Sequence, residues 1–133
     1  MAAAVMIGID PHKASHTAAA IDRAEKVLGK IRVKADRGQV ERMLEWAAGW
    51  PDRVWAVENA TGLGHLLTQQ LLAAGEQVLD VPPKLAAKAR LLSDGNTNKN
   101  DPNDARSVAV AGLRSAQVRP VSTFALFPGR GFT

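Results

Sequence analysis

The sequence predicts an α/β domain on a mixed sheet, with three antiparallel strands followed by alternating helices and strands. Two patterns support this: short apolar runs separated by turn residues up to residue 34, and apolar residues at helical spacing beyond residue 36. A length of 133 residues fits one domain. The hydrophobic fraction of 46% supplies one modest core and excludes an intrinsically disordered chain.

The first three strands are predicted from short apolar or alternating segments of the sequence. The apolar run over residues 3–10 is typical of a strand covered on both faces. Residues 11–15 have the length of a hairpin loop, and a second apolar run follows over residues 17–21. Residues 27–33 alternate apolar and polar side chains, which predicts a half-exposed strand. We therefore expect an antiparallel meander.

Helical spacing begins after Asp36, a candidate N-cap, and short strands are predicted at 54–57 and 77–81. The expected inner-face residues of the four helices are, in chain order, Val40, Met43, Leu44 and Ala47; Leu63, Leu66, Leu67, Leu71 and Ala74; Leu85, Ala89 and Leu92; and Ala105, Val108, Ala109 and Gly112. Residues 93–100 are expected to form a loop, and the last helix to begin at Pro102. This order, β-β-β-α-β-α-β-α, matches that of ribonuclease H-like folds.

The charge is unevenly distributed along the chain. The formal net charge is +4, but residues 1–80 carry nine Lys and Arg against ten Asp and Glu, whereas residues 81–133 carry eight against three. A basic last third favours an anionic partner such as nucleic acid, and a solubilising surface is the alternative.

Composition excludes several classes of protein. Without cysteine the chain has no disulfide and no thiolate metal site, which is compatible with the reducing cytoplasm where we expect it. No stretch approaches the roughly 20 apolar residues of a membrane span, so we expect no membrane association. Residues 1–9 lack a basic flank and fit a buried strand better than a signal peptide. Six aromatic residues, none of them Tyr, argue against a base-stacking platform.

Four carboxylates lie where side chains can converge. Asp10 and Glu58 each end a predicted strand, and parallel neighbours would bring both to one sheet edge, where ligands bind in α/β folds. Asp101 and Asp104 are three residues apart at a predicted helix start, so both can face the same way. Such oxygen ligands favour Mg²⁺ or Mn²⁺, and two of these cations can clamp a phosphodiester.

Each of these acids also has a structural explanation. Asp101 before Pro102 is a good helix N-cap, and Asp104 would complete an acidic first turn. Asp10 before Pro11 could start a turn. Glu58 is harder to explain structurally, because a strand end needs no acid. Spacing alone leaves the metal-binding and the capping interpretations open.

Other polar residues give weaker signals. Lys13 could contact a phosphate or simply be solvated. The three histidines, His12, His16 and His65, are dispersed, which is more typical of surface or hydrogen-bonded residues than of ligands. Residues 59–64 contain two glycines, but no lysine follows them as in a Walker A loop.

Three short motifs together carry a family resemblance: Ile-Gly-Ile-Asp-Pro-His-Lys at 7–13, Val-Glu-Asn-Ala-Thr-Gly at 57–62 and Lys-Asn-Asp-Pro-Asn-Asp-Ala at 99–105. Over residues 5–118 the chain resembles the N-terminal domain of the Piv/MooV-like D-E-D-D transposases, the insertion-sequence one-ten family. The resemblance implies a RuvC-like, ribonuclease H fold and Mg²⁺-dependent DNA strand transfer. It implies that the acidic tetrad is Asp10, Glu58, Asp101 and Asp104, with DNA and an element-encoded structured RNA as partners.

We accordingly expect residues 1–118 to form this domain and 119–133 an irregular tail, with the family's C-terminal domain and its nucleophilic serine missing. Lys13, Lys99 and Arg106 are candidate phosphate contacts because they neighbour the acids in sequence, and we expect a homo-oligomer. The alternative function is a truncated, inactive remnant that binds nucleic acid or dimerises. An actin-like ATP-binding fragment is disfavoured, because residues 11–13 supply no glycine for its phosphate loop.

Overall fold

The chain is described here from a computed structural model, which covers residues 3–94, 104–115 and 117–122, without the side chains of 92–94. The elements in chain order are β1 Val5–Pro11, β2 Ser15–Asp22, β3 Val27–Lys34, α1 Gln39–Ala47, β4 Arg53–Glu58, α2 His65–Ala73, β5 Val78–Val81, α3 Pro83–Asp94, α4 Asp104–Arg114 and β6 Arg119–Val121. No helix in these ranges is long and apolar enough to cross a membrane.

The strands form one mixed sheet in the order β3-β2-β1-β4-β5-β6. The opening meander is antiparallel, β1, β4 and β5 run parallel, and β6 returns antiparallel beside β5. The predicted α/β fold with three antiparallel strands before alternating helix and strand is confirmed. The register pairs Ile9 with Val57, so the next residues along, Asp10 and Glu58, lie side by side.

Alternation along the strands divides the core between the two sheet faces. Ile7 and Ile9 pack on the face that carries α1 and α2, together with Trp55 and Val57 of β4. The second face packs Met6 of β1 and other apolar residues against α3 and α4. Since Asp10 follows Met6 and Gly8 at alternate positions, it belongs to the α3 and α4 face.

Two glycines let α4 lie close to the sheet. A Cβ on Gly8 would come within 2.2 Å of the Ala105 carbonyl oxygen and 2.4 Å of the Ala109 nitrogen. A Cβ on Gly112, near the other end of α4, would come within 2.8 Å of the Ala56 Cβ. Because neither glycine has a side chain, α4 crosses β1 at backbone contact, which brings its first residue, Asp104, toward the end of β1.

A partly buried ion pair joins β4 to the segment that follows α2. Glu76 accepts hydrogen bonds from Arg53 Nε and Nη2 at 2.9 and 3.0 Å, and from Trp55 Nε1 at 2.6 Å. Trp55 has no exposed surface. Trp46 and Trp50 pack edge to face with centroids 5.0 Å apart.

The sequence prediction was wrong in two details of the helices. Asp36 does not cap α1; the N-cap is Gly38, and Asp36 Oδ1 instead accepts from the Gly38 nitrogen at 3.0 Å in the preceding turn. Leu63 and Leu66 do not lie on the inner face of α2 but are 63% and 58% exposed, and Ala74, the C-cap of α2, is exposed as well. Helical spacing could not reveal this, because α2 begins only at His65 and packs through Leu67 and Leu71.

The region expected to be an irregular tail begins with a strand. Arg119–Val121 forms β6 and pairs with Val78–Asp80 of β5. Three residues around a proline have no detectable periodicity, and Pro120 is tolerated because β6 is an edge strand. Residues 123–133 lie outside the described part of the chain.

Candidate active site

The site is built on the adjacent ends of two parallel strands, β1 and β4. Asp10 is 9% exposed and Glu58 is partly buried, and the two side chains are hydrogen-bonded to each other. His12 adds a contact between its Nε2 and Asp10 Oδ2 at 2.9 Å. The sequence prediction that these two strand-end acids converge is therefore confirmed by the geometry.

The electrostatics of Glu58 show how closely the acids are placed. Its pKa is raised from the ordinary value of 4.5 to about 7, first by desolvation and then by the charge of Asp10 and its hydrogen bond. The negative charge of Asp104 raises the pKa of Glu58 further. The hydrogen bond with Asp10 therefore favours the protonated form of Glu58.

Asp104 approaches the pair from α4 but is held by a cation. Arg90 of α3 donates from Nη1 to Asp104 Oδ1 at 2.7 Å, and both side chains are about a quarter to a third exposed. The charge of Arg90 also lowers the pKa of Glu58, which partly opposes the neighbouring acids. Arg90 thus provides positive charge to a group of three carboxyl side chains.

The donor set fits a hard divalent cation in chemistry, although the ligands are not gathered around one point. The nearby groups are carboxylates, which Mg²⁺ and Mn²⁺ prefer, and the strain on Glu58 is of the kind that a cation relieves. Within residues 3–94, 104–115 and 117–122, no three acidic or histidine side chains are placed to hold one metal ion. The fourth predicted acid, Asp101, lies outside the described residues.

The loop that follows Glu58 is held in place by hydrogen bonds to the end of β5. Asn59 adopts a left-handed conformation, with φ of 52°, and its nitrogen donates to the Val81 carbonyl oxygen at 2.8 Å. The Ala60 nitrogen donates to Asp80 Oδ1 at 2.7 Å. A Cβ on Gly62 would lie only 2.6 Å from Asn59 Nδ2, so this glycine leaves room for the asparagine. The tight turn, rather than any phosphate loop, explains the glycine at this position.

Comparisons with known proteins show the family of this chain. The profile of the IS110 DEDD transposases, described as "Transposase", matches residues 7–125. The chain belongs to the IS110 family of DEDD transposases. It is 31% identical over 105 residues to an uncharacterized 44.8 kDa protein of insertion element IS116 from Streptomyces clavuligerus. That match covers 79% of this chain and 26% of the relative, so the chain spans about a quarter of the relative's length.

The solved structures confirm the RuvC-like fold of this transposase domain. RuvC of T. thermophilus, determined in complex with a Holliday junction substrate, superposes with a TM-score of 0.62 and 20% identity. The superposition covers 88% of this chain and 99% of the RuvC chain. At that identity the likeness concerns the fold.

One predicted basic residue of the transposase domain, Arg106, does not lie at the acids. Arg106 donates from Nη2 to the Glu25 carbonyl oxygen at 3.3 Å, beyond the β2 end that pairs with Val5. Asp10 lies five residues beyond Val5 on β1. At the usual rise per residue of a strand, the two residues are roughly 17 Å apart. Arg106 therefore does not lie beside Asp10, because the β2–β3 turn binds its guanidinium, and its role as a phosphate contact stays a prediction.

The other two predicted phosphate contacts have different outcomes. Lys13 is exposed in the turn between β1 and β2, three residues after Asp10, and it lines a cleft together with His12. Lys99 lies outside the described residues.

Sequence reasoning missed a buried polar chain next to the acids. His16 of β2 is 3% exposed and shares a side-chain hydrogen bond with Gln39 of α1, which is 2% exposed. Gln39 Nε2 in turn donates to Gln70 Oε1 of α2 at 2.7 Å. Burial lowers the pKa of His16. An interior glutamine at the first position of a helix was the available signal, but its partners come from two other elements.

Proposed function

We propose that this chain is the metal-dependent catalytic domain of an insertion-sequence transposase, which breaks and rejoins DNA phosphodiesters. The single observation that carries the proposal is the Asp10–Glu58 pair, in which burial and two neighbouring acids raise the pKa of Glu58 to about 7. Two carboxyl groups side by side at a sheet edge are oxygen ligands of the kind that Mg²⁺ and Mn²⁺ prefer, and a carboxyl group with a strongly raised pKa is a candidate functional group.

Asp10 and Glu58 would hold the Mg²⁺ or Mn²⁺ ion, with Asp104 joining once Arg90 releases it. The family pattern adds Asp101 to this set. The bound cation would stabilise negative charge on the phosphate oxygens during transfer. His12 orients Asp10 through the 2.9 Å contact, and Glu58 must lose its proton before it can act as a ligand.

DNA is the substrate that the fold and charge support. The RuvC structure that shares this fold contains a Holliday junction, and the last third of this chain carries eight basic residues against three acids. Lys13 is the exposed cation nearest to Asp10 in sequence and would contact a phosphate. Lys99 and Arg106 would add phosphate contacts, Arg106 only after leaving Glu25. An element-encoded RNA, which rests on the family resemblance, and self-association complete the proposal.

A second function is favoured by one specific observation. Because no three acids or histidines in the described ranges are placed to hold one metal ion and Arg90 forms an ion pair with Asp104, the chain could bind nucleic acid without cutting it. Such a remnant would bind DNA with an affinity that falls steeply as salt increases.

Cleavage of a labelled branched DNA junction by the purified chain, with Mg²⁺ or Mn²⁺, separates the two functions. We expect strand cleavage that Asp10→Asn abolishes and that Glu41→Gln, a change at an exposed acid of α1, leaves intact. Salt-sensitive binding without cleavage would establish the remnant, and cleavage unaffected by Asp10→Asn would reject the proposed site.

A further inference from the structure

We propose that a cleft beside the acid pair binds one unpaired nucleotide of the DNA strand on which the acids act. The cleft has a volume of about 360 Å³, which falls within the range of roughly 300–1,000 Å³ typical of small-molecule sites. Its lining includes His12, Lys13, His16, Arg37, Leu63 and Leu66. This inference rests on the proposed function, because it needs a DNA strand at Asp10 and Glu58.

The cleft and the acids share a wall. Leu63 lines the large cleft and also a smaller cavity of about 180 Å³ that is bounded by Asp10 and Glu58. His12, which contacts Asp10 at 2.9 Å, lines the large cleft from the β1 side. A nucleotide whose phosphate lies at the acids can therefore place its base in the cleft without crossing the protein.

The apolar part of the cleft suits the face of a base. Leu63 and Leu66 are the most exposed of the large hydrophobic residues in the described part of the chain, at 63% and 58%. Extruded bases are commonly held between apolar or aromatic side chains, and the His12 ring is a further flat surface. Leu63 and Leu66 thus form a small exposed apolar surface beside the acids, on which a base could stack.

The polar part of the cleft suits the edge of a base. Nδ1 of His16 is buried and has no hydrogen-bond partner among the protein groups. His16 lines the cleft, and a base edge would pair with this nitrogen once the side chains that cover it shift. Gln39 and Gln70, joined by a 2.7 Å bond, also line the cleft and carry amide groups that can read a base edge.

The rim of the cleft suits the phosphates that flank a base. Lys13 and Arg37 are both exposed, and neither forms an ion pair within the described ranges. The adjacent acid, Asp36, is already neutralised by Arg42 Nη2 at 2.6 Å. The positive charge at the rim is therefore available to a polyanion.

The test measures the affinity of the whole chain for three fluorescein-labelled DNA duplexes by fluorescence anisotropy in the presence of Ca²⁺, a divalent cation that carboxylate oxygens also bind. One duplex is fully paired, one has a single bulged adenine, and one has an abasic residue in place of that adenine. We expect the adenine bulge to bind at least about fivefold more tightly than the abasic bulge, the lower end of what one stacked base contributes. Leu66→Ser should reduce this ratio below about twofold and leave the paired duplex unaffected.

Leu28→Ser is the matched control, because Leu28 is 40% exposed on β3 at the end of the sheet away from the acids. It should retain the full preference. Equal binding of all three duplexes, or a preference that survives Leu66→Ser, overturns the inference while leaving the proposed function intact. Failure to bind any duplex removes the proposed function and the inference with it. A dimer that Leu66→Ser dissociates, without any base preference, would assign the leucines to a second copy and also overturn it.

Discussion

Glu58 has a strongly raised pKa. A carboxyl group with a pKa of about 7 changes its charge at physiological pH, and the cause is its burial beside Asp10 with Asp104 nearby. The folded protein therefore keeps a proton on Glu58 under conditions in which the unfolded chain has lost it. Any cation that binds here must displace that proton, so metal affinity and pH are coupled at this residue.

We predict that stability depends on pH through Glu58. Because its folded pKa of about 7 exceeds the unfolded value near 4.5, its stabilising contribution is complete below pH 4.5 and is lost as pH rises toward 7. The Glu58→Gln variant should lack this loss, so its advantage in unfolding free energy over the wild type should grow by on the order of 2 kcal/mol between pH 5 and 8.

Urea denaturation of both proteins across this range measures the difference. The comparison removes the contribution of His16, whose lowered pKa acts in the opposite direction by making the protein more stable as pH rises to 6.5. If the unfolding free energies of the two proteins changed with pH in parallel, the pKa of Glu58 would not be raised in the folded protein.

A second residue-scale prediction concerns Arg90, which competes with a metal ion for Asp104. Replacing Arg90 with Gln removes the 2.7 Å bond and frees that carboxylate. We expect Mn²⁺ to bind several-fold more tightly to Arg90→Gln than to the wild type, as measured by isothermal titration calorimetry at pH 7.5. Lys88→Gln, an exposed change on the same helix, should leave the affinity unaffected. Weaker binding of Mn²⁺ to Arg90→Gln would contradict this prediction and would show that Arg90 helps to position Asp104 for the metal ion.

At the scale of elements, the position of α4 decides whether the third acid reaches the first two. The helix lies against β1 because Gly8 has no side chain, and Asp104 is the first described residue of that helix. The strand that carries Asp10 thus also sets the distance to Asp104 through a glycine two residues earlier on the same sheet face.

We predict that Gly8→Ala displaces α4. The new Cβ would meet two backbone atoms at 2.2 and 2.4 Å, which cannot move independently of the helix, so unfolding free energy should fall by about 1–3 kcal/mol or more. Mn²⁺ affinity should fall with it as Asp104 withdraws. Gly49→Ala is the matched control, because nothing lies within 4 Å of its added Cβ. Equal stability of the two variants would show that the close packing of α4 is not required.

Much of the element order was predictable, because most of the evidence was local. Alternation predicted β3, and apolar runs ending in acids predicted β1 and β4, so the approach of Asp10 to Glu58 followed from sheet topology alone. What was missed depends on tertiary contacts: Leu63 and Leu66 fit helical spacing but face solvent, and the buried chain from His16 joins three elements. Arg106 was assigned to the site from its neighbours in sequence, yet its long side chain reaches the opposite end of the sheet.

At the scale of the whole molecule, the domain combines an acidic centre with a basic last third. The sheet brings acids from residues 10 and 58 together, and α4 adds Asp104 from a stretch that is otherwise rich in Lys and Arg. Such a distribution attracts a polyanion and then requires a cation between its phosphates and the carboxylates. A bound metal ion would therefore allow the DNA phosphates to approach the carboxylates, because it would neutralise the repulsion between them.

Calorimetric titration of the whole chain with Mn²⁺ at pH 7.5 tests this account most directly. We expect saturable binding that releases protons, that Asp10→Asn weakens at least about tenfold, and that Glu41→Gln, an exposed acid of α1, leaves unchanged. A titration without binding, or one in which Asp10→Asn and Glu41→Gln behave alike, would contradict it.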